Sequence, residues 1–160
     1  MDQGFILRTA ERGDLDEIMR LYRQLMGLHE SLDPRLTLDW AGIEAFRDYA
    51  NSVLGSEYDR ILVAEAPDGA GLAGFIMGRL AQNPPMFRQP YYGYITDTCV
   101  DERWRRRGVG RALFEAMRAW FREQGLLTMQ VNVAARNPTS QAFWRALGFT
   151  DFLDRLWQET

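Results

Sequence analysis

The chain has 160 residues, 46% of them apolar and 26% charged, and a formal charge of −3; this fits one globular domain with a sizeable core and excludes a disordered chain. Cys99 is the only cysteine and His29 the only histidine, which excludes an internal disulfide and a cysteine-based metal cluster, and leaves any serine–histidine or cysteine–histidine catalytic set dependent on one residue. No apolar run reaches about 18 residues and the start carries no basic-then-apolar signal, so no membrane span or secretion is expected; with a lone cysteine the expected compartment is the reducing cytoplasm.

Phe5 to Arg8 reads as a first short strand. Leu15, Ile18, Leu21, Tyr22 and Leu25 recur at helical spacing, which predicts a helix over 14–28 with Asp14 as its N-cap, broken at Pro34. A second helix is predicted over 43–54. The segment "RILVAEAPDGAGLAGFIMGRL" reads as strands Ile61–Glu65 and Leu72–Leu80 joined by a Pro-Asp-Gly turn. "AQNPPMFRQPYYG" is a loop, and Tyr94 to Val100 is the next strand.

A helix over 108–123 shows Leu113, Met117, Trp120 and Phe121 on one face, with Gly125 at its C-terminal stop. "LLTMQVNV" is a strand. Asn137 caps a helix whose first position is Pro138 and whose end is Gly148, and Phe149 to Leu156 is a final strand. Residues 1–160 thus form a single α/β (α+β) domain, with a mixed sheet of roughly six or seven mostly antiparallel strands and about four helices.

All 19 cations are arginine, and their distribution is uneven. Residues 1–100 balance to −6 and residues 101–160 to +3, so different parts of the domain suit differently charged ligands. The segment "ERWRRRGVGRALFEAM" places four arginines in positions 103–107 just before Gly108 and Gly110 and a helix. The first N–H groups of a helix lack internal partners and carry partial positive charge, and glycines let an anion approach them. The other reading is an arginine-rich solvated turn, its glycines chosen for backbone shape. A dinucleotide fingerprint would need glycine where Leu113 stands, and a lysine-bearing phosphate loop is impossible without lysine. The sequence pI near 5.2 argues against an extended nucleic-acid-binding face.

"YITDTCVDERWRRRGVGRALFEAM" resembles the central motif of the GNAT superfamily of N-acetyltransferases, whose Arg/Gln-x-x-Gly-x-Gly/Ala signature is matched by Arg105, Gly108 and Gly110. "NVAARNPTSQAFWRALGF" resembles the family's second block, and the order of elements agrees over nearly the whole chain. The resemblance implies an acetyl-CoA-dependent transfer of an acetyl group to a primary amine of a small molecule or peptide, by direct attack in a ternary complex. It implies that the backbone of Arg105, Arg106, Arg107, Gly108, Val109, Gly110 and Arg111 cradles the coenzyme pyrophosphate. Cys99 and Val100 would offer backbone groups to the pantetheine arm, Asn137 would hydrogen-bond near it, and Ser140 and Phe143 would lie along it. No metal, nucleic acid or membrane partner is implied, and a homodimer is an expectation by analogy alone.

An alkyl ammonium with a pKa of about 10.4 must lose its proton before it attacks, a cost of roughly 4 kcal/mol at neutral pH, so a base and donors for developing negative charge are needed. Asp97 is the candidate base, where many relatives carry a Glu-Asp pair and this chain has Thr96-Asp97. Simple alternation places Tyr94, Thr96 and Thr98 on one strand face and Asp97 on the other. Asp97 also has a purely structural reading as a hydrogen-bonding carboxylate. The family's helix tyrosine, which would protonate the leaving thiolate, is Trp144 here, an indole without useful acidity; Tyr92 or Tyr94 is the substitute candidate. Cys99 as an acyl-carrying nucleophile lacks an evident activating base. His29 and the aromatic 84–94 loop are candidates to line the acceptor side, where an acidic half of the chain and aromatic faces suit a cationic amine. The missing acid also motivates a second reading, a non-catalytic acyl-CoA sensor or interaction module on the same fold.

Overall fold

The structure, a computed structural model, describes residues 4–160. Its elements run β1 (Ile6–Thr9), α1 (Leu15–Leu32), α2 (Ala45–Val53), β2 (Asp59–Glu65), β3 (Leu72–Gln82), β4 (Tyr91–Val100), α3 (Val109–Glu123), β5 (Met129–Val131) and α4 (Pro138–Ala146). The strands lie side by side in chain order in one sheet. Pairing is antiparallel from β1 to β4, and β5 joins β4 in parallel after the α3 crossover.

Each face of the sheet is covered, which is why β3 reads as a continuous apolar run. Alternation in β2 sends Ile61 and Val63 toward α1 and α2, and Leu62 and Ala64 toward α3. The α3 stripe of Val109, Leu113, Phe114, Met117, Trp120 and Phe121 is buried against the second face. Burying side chains of this size contributes about 1.5–3 kcal/mol each, and α4 closes over it through Trp144, edge-on to Phe114 and Phe149.

Four helices and the mixed, mostly antiparallel sheet agree with the sequence reading, but the sheet has five strands rather than six or seven. The expected strand over 149–156 is absent: residues 149–160 form no helix or strand, and Phe152, Leu153, Leu156 and Trp157 are exposed. Their apolar residues come in adjacent pairs, so they cannot alternate across a pleat. The expected 126–133 strand shrinks to three residues. β4 begins earlier than expected, at Tyr91, because the Asn83 N–H closes the preceding loop on the Pro90 carbonyl at 2.9 Å. Asp14 stands at the N-cap position of α1 but makes no side-chain cap; its carboxylate takes Arg8 and the Glu11 N–H, each at 2.7 Å, instead.

Candidate active site

The site is organised by one irregularity. In the β3–β4 ladder Gly78 faces Ile95 and Met77 faces Asp97, so Thr96 is an extra residue, a β-bulge. The bulge reverses the alternation of β4. Before it, Ile95 packs on the α3 side; beyond it, Cys99 packs on the α1 side. Tyr94 and Asp97 therefore share the α1 face, and Thr98 turns to the other. This corrects the face assignment that simple alternation predicts.

The main chain reverses with the side chains. Gly93 directs its N–H to Thr128, beside β5, at 2.9 Å, whereas beyond the bulge Asp101 directs its N–H to Ala73 of β3 at 2.9 Å. By ladder alternation Asp97 and Cys99 are likewise committed to β3, and Thr98 and Val100 face away from it. Pairing with β5 stops at Ile95–Val131. A wedge therefore opens beside the end of β4, edged by the main-chain groups of Thr98 and Val100. Cys99 contributes no outward group: its thiol donates to the Leu21 carbonyl at 3.2 Å, and burial pushes it up to about 12.

The wedge leads to the start of α3. Asp101, only 1% exposed, holds the turn: it accepts from the Arg103 N–H at 2.9 Å and from the guanidinium groups of Arg103 and Arg20, the latter at 2.6 Å. These arginine hydrogen bonds keep its carboxyl well below the usual range against the opposing effect of burial. Arg106 and Gly108 both take positive φ, 62° and 83°, so the chain turns sharply into the helix. Among the described residues no group accepts from the N–H groups of residues 106–111, and the first turn of α3 carries no acidic side chain. Arg105 reaches the Val100 carbonyl at 3.4 Å, Arg107 lies over the Trp104 ring, Arg111 is exposed, and the Val109 side chain is buried in the core. Gly110 has a packing reason as well: a Cβ there would come within 3.2 Å of Phe143.

Asn137 is 5% exposed and caps α4, its Oδ1 accepting from the Ser140 N–H at 3.0 Å. That leaves its Nδ2 for another acceptor. Phe143 sits on Gly110 and edge-on to Trp144. Val100, Gly110 and Phe143 are thus brought together, a Cβ on Gly110 falling 3.2 Å from Phe143 and 3.5 Å from Val100 Cγ2, and Asn137 and Ser140 lie in the first turn of the helix that carries Phe143. The coenzyme implied by the resemblance fits them: an extended chain of amides ending in phosphates needs outward strand groups followed by unpaired helix N–H groups. Among the described residues, no group of three or more histidine, cysteine, aspartate or glutamate side chains could hold a metal, and no helix is long and apolar enough to cross a membrane.

On the α1 face Asp97 is half-buried, and desolvation raises its pKa above the ordinary aspartate value, opposed by a hydrogen bond with Thr96. Tyr94 is also raised by desolvation, so its phenol stays protonated near neutrality; its oxygen accepts from Asn132 Nδ2 at 2.8 Å. Desolvation and then Asp97 raise the pKa of Tyr22 from α1; for Tyr49 from α2 the causes are desolvation, then Asp59, with Asp97 a smaller contribution. Sequence reading missed Thr98 and these two tyrosines. The bulge hides the first, and only tertiary packing brings α1 and α2 over β4. His29 is half-buried, with its pKa lowered by desolvation, and does not line the cleft between α1 and α2.

Residues 16–149 match the family model described as Acetyltransferase (GNAT) family. No curated protein matches the chain. Among solved structures, a mutant of the BH1408 protein from Bacillus halodurans is 24% identical with a TM-score of 0.81, over 97% of this chain and 99% of that one. The aminoglycoside N-acetyltransferase AAC(6')-Iy in complex with CoA is 20% identical with a TM-score of 0.77, over 98% of this chain and 94% of that one. The aminoglycoside 6'-N-acetyltransferase AAC(6')-IG from Acinetobacter haemolyticus is 16% identical with a TM-score of 0.76, over 97% of each chain. At these identities the likeness is one of fold.

Proposed function

The chain belongs to the acetyltransferase (GNAT) family, and from that premise we propose that it moves the acetyl group of acetyl-CoA to a primary amine of a small molecule or peptide, directly, in a ternary complex. The observation that carries this is the wedge. β4 parts from β5 beyond Ile95, and its outward main-chain groups lead straight to the unpaired N–H groups at the start of α3. Two similar folds are aminoglycoside N-acetyltransferases, one in complex with CoA, which supports an acyl-CoA donor and an amine acceptor.

In this reading Thr98 and Val100 hold the pantetheine arm by main-chain hydrogen bonds, and Thr98 replaces Cys99 in that role. The N–H groups of residues 106–111 take the pyrophosphate, with Arg105, whose own N–H is held by the Glu102 carbonyl, and Arg106, Arg107 and Arg111 supplying positive charge around it. Each hydrogen bond to a charged oxygen contributes about 1.5–3 kcal/mol. Asn137 Nδ2, Ser140 and Phe143 line the opposite wall. Acetyl-CoA supplies the activated thioester. Asp97 accepts the proton that the acceptor ammonium must lose, and its raised pKa makes it a stronger base than an exposed aspartate. Tyr94, kept as a neutral phenol, has a proton to give to the leaving sulfur.

Calorimetry with acetyl-CoA, combined with a free-thiol assay against primary amines, tests this. Saturable binding and amine-dependent thiol release are expected; no binding ends the reading. Burial of Trp144 at the position of the family's tyrosine favours a second reading, an acyl-CoA sensor. Binding without thiol release across a broad amine panel would select it.

A further inference from the structure

The α1 face holds a cleft that acetyl transfer alone does not account for. Between α1, the 38–43 segment and α2 lies a space of about 480 Å³, lined by Tyr22, Met26, Leu38, Asp39, Ile43 and Phe46 among others. This is within the usual range of small-molecule sites, and the lining is mainly apolar with a few polar groups, as such sites are. Tyr22 and Phe46 stack flat, with centroids 3.5 Å apart and planes 2° apart. Tyr22 is the wall shared with the transfer centre, since Asp97 lies close enough to perturb its phenol.

The charges around the cleft narrow what it can take. Glu44 is paired with Arg23 and with Arg47, Asp16 with Arg47, and Asp33 with Arg35 and Arg136. Among the described residues Asp39, Asp97, Glu30 and Asp48 have no arginine partner, and Glu30 accepts from Trp40 Nε1 at 3.0 Å. A polycation would find Asp16, Asp33 and Glu44 already neutralised and, within the cleft itself, an apolar wall with Asp39 as the one carboxylate lining it, so its further ammonium groups would lose hydration without compensation. An amine with one cationic centre and a flat apolar body satisfies both parts. Its ring covers the Tyr22–Phe46 wall, and its ammonium finds a free carboxylate and aromatic faces.

Resting on the acetyl-transfer reading, we infer that the acceptor is a monocationic arylalkylamine, its ring seated in the Tyr22–Phe46 cleft and its amine directed to Asp97, with Phe46 and Tyr22 setting the preference for a ring. The ammonium loses one proton to Asp97 and the free amine attacks the thioester carbonyl; the carbon–sulfur bond breaks, Tyr94 protonates the leaving sulfur, and the second proton shed by the nitrogen restores the phenol, so that the amide and the free thiol are released.

Steady-state thiol release by the full chain at saturating acetyl-CoA tests this with 2-phenylethylamine, n-butylamine, spermidine and kanamycin. The kcat/KM for 2-phenylethylamine should exceed that for n-butylamine by roughly tenfold or more. Phe46→Ala should remove most of that ratio by raising KM for 2-phenylethylamine several-fold more than KM for n-butylamine. Phe46→Leu, which keeps apolar volume, guards against a variant that fails to fold, and should show the same change in ratio to a smaller degree. Turnover of spermidine or kanamycin above 2-phenylethylamine, or an equal loss for both monoamines in the Phe46 variants, overturns the inference and leaves acetyl transfer standing. No thiol release with any amine overturns both, and calorimetric binding of acetyl-CoA then shows whether the coenzyme site survives.

Discussion

Asp97 and Asp101 lie four residues apart on or just beyond one strand, both shielded from water, yet their carboxyls are driven in opposite directions. Asp101 is more completely enclosed, but two guanidinium groups and a main-chain N–H more than offset its desolvation. Asp97 has no arginine partner among the described residues, so desolvation dominates. The difference separates a carboxylate that builds the turn before α3 from one left with a proton-accepting capacity that the fold does not consume. Burial alone does not distinguish them; the partners do.

The largest effect should come from breaking the built carboxylate. Asp101→Ala removes the acceptor of the Arg103 N–H and of two guanidinium groups, of which Arg20 keeps Glu17 and Arg103 is exposed; it should cost about 1.5–3 kcal/mol and lower Tm by roughly 3–12 °C. Calorimetric unfolding checks it, and the start of α3 should lose acetyl-CoA affinity with it. Asp97→Asn should act in the reverse sense: kcat should fall by roughly 10²-fold or more, while Tm holds or rises and acetyl-CoA affinity stays. Wild-type kcat in that variant would remove Asp97 as the base.

The pH dependences should diverge as well. Asp97 binds its proton more tightly in the folded state than in the unfolded chain, so its contribution to stability is fully present below the ordinary aspartate range and is lost as pH rises through the raised pKa. Asp101 is depressed, so its contribution is present above the ordinary value and is lost as pH falls through the lowered pKa. The acid limb of kcat should accordingly have a midpoint above 3.8 and vanish in Asp97→Asn, with Tm followed over the same pH range. The smallest effect should be that of Gly110→Ala. Its Cβ would lie 3.2 Å from Phe143, crowding that the better helix propensity of alanine, about 1 kcal/mol, offsets, so Tm should change little while acetyl-CoA binding weakens without either aspartate being touched. Unchanged affinity there would argue that the Gly110–Phe143 contact does not shape the wedge.

Much of what we propose for the coenzyme was legible in order along the chain. Arg105, Gly108 and Gly110, the apolar stripe of α3, and the Asn137–Pro138 start of α4 are local signals, each readable within about one or two helical turns because capping and periodicity act over that distance. The acceptor side was not. Tyr22 and Phe46 are 24 positions apart and meet only because α1 and α2 pack on the same face. Residues 149–156 carry strand-forming residue types, but a strand needs a partner ladder and a consistent face, and the adjacent pairs Phe152-Leu153 and Leu156-Trp157 give it neither.

What the sequence determined by itself is therefore the parts list: four helices, the strand order along the chain, and an arginine-rich turn opening on a helix. What only the tertiary structure decided is the direction in which β4 presents its groups. The bulge at Thr96 arises from how β4 registers against β3, some 20 residues away, and a one-residue shift in a pleat moves every following side chain to the opposite face. That shift joins Asp97 to Tyr94, withdraws Cys99 into the core, and turns Thr98 to the wedge.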